Sequence, residues 1–292
     1  MFQKERGMIQ HKTGLTIKTG KRPISADVTW EDDFENMPIV VFCHGYKGFK
    51  DWGCWNLMAR EFASRGLIFF KFNFSMNGVT ADDLSEITDI ESFSQNKYSF
   101  ELEDITAILD HVNSCSFLES IGRRKDRIIL VGHSRGGAMA LLSARDERVS
   151  KVISLAAPDD LSERMPDLPE LSNWKNSDRL EVINTRTGLV LHHKYSFYED
   201  FIENQQILDV HSAVAMLSKP VLLIHGEADE SVDVEAAISL SAANPSAELV
   251  LLEDENHTFG AKHPWEADSL PAGLSQVVSL CTDFIFGNEF GA

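Results

Sequence analysis

Three side-chain types in this chain can perform acyl transfer together, and they occur in a usable order. Ser134 lies in Gly132-His133-Ser134-Arg135-Gly136-Gly137, a Gly-x-Ser-x-Gly pattern. The apolar run Ile128–Val131 precedes it, and Ala138-Met139-Ala140-Leu141-Leu142 follows. Branched residues bounded by glycine predict a buried strand, and the Ala/Leu/Met run predicts a helix. A serine on so tight a strand-to-helix turn has a strained backbone and a projecting hydroxyl, as a nucleophile requires.

A serine hydroxyl stays protonated near neutral pH. It needs a base, and the base needs a carboxylate to orient it. Reactive groups of a parallel sheet gather past the carboxyl ends of its strands. Past the predicted strand Val221–Ile224 comes His225-Gly226-Glu227-Ala228-Asp229-Glu230. Past Leu249–Leu252 comes Glu253-Asp254-Glu255-Asn256-His257. Asp229 is therefore the candidate acid and His257 the candidate base, with Glu227, Asp233 and Asp159-Asp160 competing for the acid role. A developing oxyanion needs two backbone N–H donors. Arg135, directly after the serine, supplies one, and Tyr46 in His44-Gly45-Tyr46-Lys47-Gly48 supplies the other. His44 and His133 abut this region and are read as structural. His192 and His193 alternate on a predicted strand and point apart, so they are no metal pair. His257 and His263 have no carboxylate or cysteine at ligand spacing, so no metal and no cofactor is expected.

The surrounding elements must hold these groups. Residues 14–20 and 24–30 alternate around Gly20-Lys21-Arg22-Pro23 and predict an edge hairpin. An acidic loop, 32–36, leads into Pro38–Cys43, a strand apolar enough to be buried on both faces. Trp55, Met58, Ala59 and Phe62 recur at helical spacing, with Gly66 placed to end that helix. Leu67–Phe72 is a further strand, and 73–96 an irregular loop. Ser99 is placed to cap a helix with Glu101 and Glu103 in its first turn and Leu102, Ile105, Leu109 and Val112 facing inward. After the strand Lys151–Leu155, residues 158–219 interrupt the alternation. They hold a predicted hairpin around Arg186-Thr187-Gly188 and an aromatic cluster, and are read as a small cap within a single domain spanning 1–292. The strand–helix alternation then resumes to a last helix carrying Leu274, Val277, Val278, Cys281, Phe284 and Ile285. Repeated units of this kind imply a mostly parallel sheet with helices on both faces.

Composition narrows the partners. With 27 Lys and Arg against 45 Asp and Glu, the net charge is −18. Phosphates would be repelled, which argues against nucleic acid and anionic membranes. Cys43, Cys54, Cys115 and Cys281 have no CxxC spacing and are read as small core residues in a reducing compartment. The polar start Met1–Arg6 has no apolar h-region, and no run reaches a membrane span, so the expected setting is cytoplasmic. A homodimer is compatible with the sequence.

These residues resemble the α/β-hydrolase superfamily over about 39–286. The resemblance rests on the Ser134 turn, the His44–Gly48 turn, His225-Gly226-Glu227-Ala228-Asp229 and His257, and on the chain order Ser, Asp, His. Within the superfamily the chain is similar to esterases related to dienelactone hydrolases, to cinnamoyl and feruloyl esterases, and to the catalytic domains of prolyl-oligopeptidase-type peptidases. It departs from dienelactone hydrolases in having Ser134 rather than a cysteine, and from prolyl-oligopeptidase enzymes in having no room for a propeller. The resemblance implies an α/β-hydrolase fold with a small hairpin-bearing insertion. It also implies a cofactor-free serine hydrolase acting on small or medium acyl esters. An aminopeptidase or acyl-peptide hydrolase, and a non-catalytic binding protein on the same fold, are the alternatives.

Overall fold

The computed structural model describes residues 7–32, 37–80, 82–122 and 127–287. The polar start Met1–Arg6 and most of the acidic stretch 32–36 lie outside the described residues. Two strands, β1 (Ile9–Ile17) and β2 (Ile24–Glu31), open the chain as an antiparallel edge hairpin with Ile17 opposite Ile24. β1 starts earlier than its alternation predicts, because pairing with β2 carries it back to Ile9. Strands and helices then alternate: β3 (Ile39–Cys43), α1 (Trp55–Ser64), β4 (Ile68–Phe72), α2 (Ile90–Ser94), α3 (Tyr98–Val112), α4 (Cys115–Ser120), β5 (Ile128–His133), α5 (Arg135–Ser143) and β6 (Val149–Leu155). An insertion follows, with a 3-10 turn at Ser162–Arg164, α6 (Leu168–Ser177), β7 (Leu180–Ile183), β8 (Val190–His193), α7 (Ser196–Glu203) and α8 (Val210–Ala215). The alternation resumes with β9 (Val221–Gly226), α9 (Glu235–Ala243), β10 (Glu248–Leu252) and α10 (Ala272–Phe286).

Eight strands form one sheet in the order β1-β2-β4-β3-β5-β6-β9-β10, parallel from β4 to β10. Successive side chains of a strand point to opposite faces, so each strand serves two cores. Ile39, Val41 and Cys43 of β3 pack with α3 and α5, whereas Val40 and Phe42 pack with α1 and α10. On the second face Phe42 meets the Trp55 ring edge-on at 5.2 Å and Phe69 at 5.6 Å. Each such buried ring contributes roughly 1.5–3 kcal/mol. This double burial explains the near-continuous apolar runs of the central strands. No helix among the described residues is long and apolar enough to cross a membrane.

Several expectations change on contact with the structure. Ser99 does not cap α3: the helix begins at Tyr98 with Lys97 at the N-cap, and the Ser99 hydroxyl donates to Asp200 of α7. Glu101 of that first turn is buried, facing Arg135, while Leu102 is only partly buried. The stretch 73–96 is not wholly irregular, since Asp89 caps the short α2 by accepting the Ser92 N–H at 2.9 Å. Cys43, Cys54 and Cys281 are buried, but Cys115 is exposed at the start of α4; all four are free thiols. The loop joining β7 and β8 runs from Asn184 to Leu189, longer than three residues, because the Asn184 carbonyl already accepts the Thr187 and Gly188 N–H groups.

Candidate active site

Four strand ends converge on one point. Ser134 follows β5, Tyr46 follows β3, Asp229 follows β9 and His257 follows β10. The Ser134 backbone has φ 55 and ψ −126, a conformation costing on the order of 1–3 kcal/mol in a side-chain-bearing residue. Its surroundings impose that turn. The Ser134 N–H donates to the Leu155 carbonyl of β6 at 2.8 Å, and its carbonyl accepts from Gly137 N–H at 2.8 Å. Gly136 lies so close to the Cys43 and His44 carbonyls that a Cβ there would overlap them. The glycine is what lets α5 start against the end of β3.

The candidate acid and base are linked directly. Asp229 Oδ2 accepts from His257 Nδ1 at 2.7 Å, and the Asp229 side chain has no exposed surface. A carboxylate partner fixes the hydrogen on Nδ1, so a neutral His257 ring keeps the Nε2 lone pair free. Asp229 Oδ1 accepts the backbone N–H groups of Ser231 at 2.7 Å and Val232 at 2.9 Å. His225 Nε2 lies 3.1 Å from Asp229 Oδ2 and 3.0 Å from the Val232 carbonyl, so its hydrogen is shared between two acceptors. Burial raises the Asp229 pKa, but these donors outweigh it and hold the carboxyl well below the usual carboxylate range.

Neighbouring histidines brace the site. His133 Nε2 donates to the His257 carbonyl at 2.8 Å, tying the base loop to β5. Burial, with the adjacent His257, pushes His133 down to about 3. His44 Nδ1 donates to the Gly45 carbonyl at 2.9 Å, and its Nε2 accepts from the Phe74 N–H at 3.3 Å. Burial pushes His44 down to about 4. His193 is buried and His192 is not, as alternation along β8 requires.

Among the described residues, no hydrogen bond occupies the N–H of Tyr46 or of Arg135, the first residue of α5. The Tyr46 ring is clamped in place: its hydroxyl meets His193 Nε2 at 2.8 Å, and the Arg135 guanidinium stacks on it at 3.9 Å. Two cavities, of about 560 and 300 Å³, are both bordered by Tyr46, Ser134 and His257. The larger extends under the insertion, against Trp174, Leu180, Val182 and Phe197. No hydrogen bond joins the Ser134 hydroxyl to His257 at rest among the described residues, but both groups face the same cavities. Such contacts commonly tighten only when substrate binds.

A sequence profile described as the Alpha/beta hydrolase family matches residues 40–267. The chain belongs to that family. No curated protein sequence matches this α/β-hydrolase. Among solved structures it is similar to Est1E from Butyrivibrio proteoclasticus with ferulic acid bound, at 20% identity and TM-score 0.70, covering 94% of this chain and 98% of that one. A putative hydrolase from Agrobacterium vitis S4 gives 21% identity and TM-score 0.69 over 95% and 99%. Mouse alpha/beta hydrolase domain-containing protein 10 gives 18% and 0.66 over 94% and 98%. At these identities the likeness establishes the fold.

The structure brings Ser134, Asp229, His257 and the Tyr46 and Arg135 N–H groups of this α/β-hydrolase to one place. Among the described residues, none of the competing acids is bonded to His257. Asp160 accepts from Ser162, Asp233 accepts the Glu235 N–H, and Glu227 is exposed. Sequence reasoning overlooked His225 as a second partner of Asp229. The signal was a histidine ending an otherwise apolar buried strand, four residues before the acid. No cluster of three or more His, Cys, Asp or Glu suited to a metal occurs among the described residues.

Proposed function

We propose that this α/β-hydrolase is a serine esterase that cleaves carboxylic esters of small or medium acyl groups through an acyl-enzyme. Ser134 Oγ attacks the ester carbonyl while His257 Nε2 takes its proton. The tetrahedral oxyanion is held by the Tyr46 and Arg135 N–H groups. The carbon–oxygen bond to the alcohol then breaks, and the alcohol leaves with the proton from His257. Water, deprotonated by His257, attacks the acyl-serine, releasing the carboxylic acid and restoring Ser134. Asp229 holds the Nδ1–H tautomer throughout. The segment between β6 and β9 acts as a cap that walls the larger cavity.

The observation that carries this reading is the 2.7 Å bond from His257 Nδ1 to a fully buried Asp229, with Nε2 left for a cavity that Ser134 shares. The ferulic acid on Est1E is a carboxylic acid, the product class of ester cleavage, which is consistent with it. An aminopeptidase needs a carboxylate to bind a free peptide amine. Among the described residues, neither cavity beside Ser134 has Asp or Glu in its wall, which favours the ester.

The test is intact-mass detection of a fluorophosphonate adduct on wild type and on Ser134→Ala, beside turnover of p-nitrophenyl esters of increasing chain length. An adduct and turnover confined to wild type are expected. A well-folded wild type that neither labels nor turns over any ester would favour the binding-protein alternative.

A further inference from the structure

The wall of the larger cavity inverts the charge of the molecule. The chain as a whole carries −18, yet this wall holds Lys47, Arg135 and Arg164 and, among the described residues, no Asp or Glu. The cations are held by different means. The Arg135 guanidinium stacks on Tyr46 at 3.9 Å and lies 5.0 Å from the Tyr98 ring centre. Lys47 Nζ lies over the same Tyr46 ring at 5.4 Å and donates to the Ile183 carbonyl at 3.2 Å. Arg164 donates to the Ser231 carbonyl at 3.0 Å. Neither Lys47 nor Arg164 has a carboxylate partner within ion-pair distance among the described residues.

Arg135 has one carboxylate near it, Glu101, at a loose 3.6 Å, and Glu101 also accepts from Asn96 at 2.7 Å. Arg135 Nη1, the Tyr98 hydroxyl and Glu101 Oε2, all buried, have no partner within hydrogen-bond distance. Glu101 meets Arg135 only loosely, so the Arg135 and Tyr98 donors keep capacity for an anion in the cavity after a rotamer-scale adjustment. Burial and the nearby Arg135 charge lower the Lys47 pKa, as expected for cations gathered without an anion. The rest of the wall is apolar, including Leu161, Met165, Trp174 and Phe197.

We propose that the larger cavity binds a carboxylate on an apolar or aromatic spacer, so that the substrate is an ester carrying a free carboxylate on the half lodged there. This rests on the esterase reading. The Arg135 fork matches a carboxylate in shape and charge, and Lys47 and Arg164 complete the cationic wall. Against an acidic exterior such a pocket attracts an anion to the neighbourhood of Ser134.

The experiment compares carboxylates with their neutral carboxamide isosteres. On the acyl side these are the p-nitrophenyl half-ester of adipic acid and its terminal amide. On the alcohol side they are 4-carboxyphenyl and 4-carbamoylphenyl acetate. On one side kcat/KM for the carboxylate is expected to exceed that for the amide by roughly tenfold to a hundredfold, the worth of a charge-assisted hydrogen bond. The ratio should fall as salt is raised, and Arg164→Met and Lys47→Met should each lower it by about fivefold or more. Equal or better turnover of both amides would overturn the inference while leaving the esterase reading intact. If no ester is cleaved and no fluorophosphonate adduct forms, the esterase reading fails separately. The pocket is then judged by calorimetry of 4-phenylbutyrate against 4-phenylbutanamide: preferential binding of the acid, lost in Arg164→Met, upholds a carboxylate site, and equal binding overturns it.

Discussion

Replacing Asp229 with asparagine reverses the logic of the proposed site while changing one atom. Two backbone N–H groups, from Ser231 at 2.7 Å and Val232 at 2.9 Å, demand an acceptor and so fix the amide oxygen on their side. The amide nitrogen then faces His257 Nδ1, 2.7 Å away in wild type, and His225 Nε2. It donates to His257 only if that ring moves its hydrogen to Nε2, which removes the lone pair intended for Ser134. The loss is therefore a wrong tautomer together with a missing negative charge beside a forming imidazolium. For that combination a fall in kcat of about ten-thousandfold is expected, or about 5.5 kcal/mol of transition-state stabilisation, with KM little changed. Fluorophosphonate labelling should slow by a similar factor, because it uses the same base. The assay is single-turnover release of p-nitrophenol with thermal unfolding as the folding control. Folded Asp229→Asn protein that retained more than about a tenth of wild-type kcat would refute the assignment of Asp229 as orienting acid.

Two other outcomes follow from buried charge. Burial pushes His44 down to about 4 and His133 and His193 down to about 3. Their folded values lie below the unfolded value of about 6.5, so their contribution to stability is intact above that pH and is lost as the pH falls toward 4. Asp104, pushed up to about 6 by burial, works in the opposite direction and offsets part of the loss. These four groups together cost on the order of 4 kcal/mol between pH 7 and 5, read as a lower urea midpoint; an unchanged midpoint would contradict it. Asp27 lies between two buried ammonium groups, 2.6 Å from Lys50 and 2.9 Å from Lys71, with Asp51 as their other partner. Asp27→Asn leaves excess buried positive charge and should cost about 3–5 kcal/mol in chemical denaturation, whereas a loss below about 1 kcal/mol would mean that the lysines escape to water.

The parts of the site that were legible are those set by local rules. Glycine spacing around Ser134 and apolar runs before Ser134, Asp229 and His257 locate strand ends, and strand ends locate reactive groups. What was not legible depends on partners far along the chain. The sequence places Glu101 in a first helical turn, where it suits the dipole, but does not show that it packs inward against Arg135, 34 positions later in number and adjacent in space. Ser99 had the chemistry of a cap, and Asp200 of the insertion claimed its hydroxyl. Cys115, between Ser114 and Ser116, is exposed, whereas Cys43 and Cys281 of the apolar runs are buried.

By itself the sequence determined the layered parallel sheet and the order in which the candidate nucleophile, acid and base arrive, because burial on two faces and tight turns leave a local imprint in residue type. Only the tertiary structure decided that His225 joins His257 on Asp229, and that Lys47, Arg135 and Arg164 share one wall with no Asp or Glu among its described residues. Those charges come from three separate connections, after β3, β5 and β6. Their sum is a property of where the strands stack, since a cavity's field adds over whichever side chains the fold places around it.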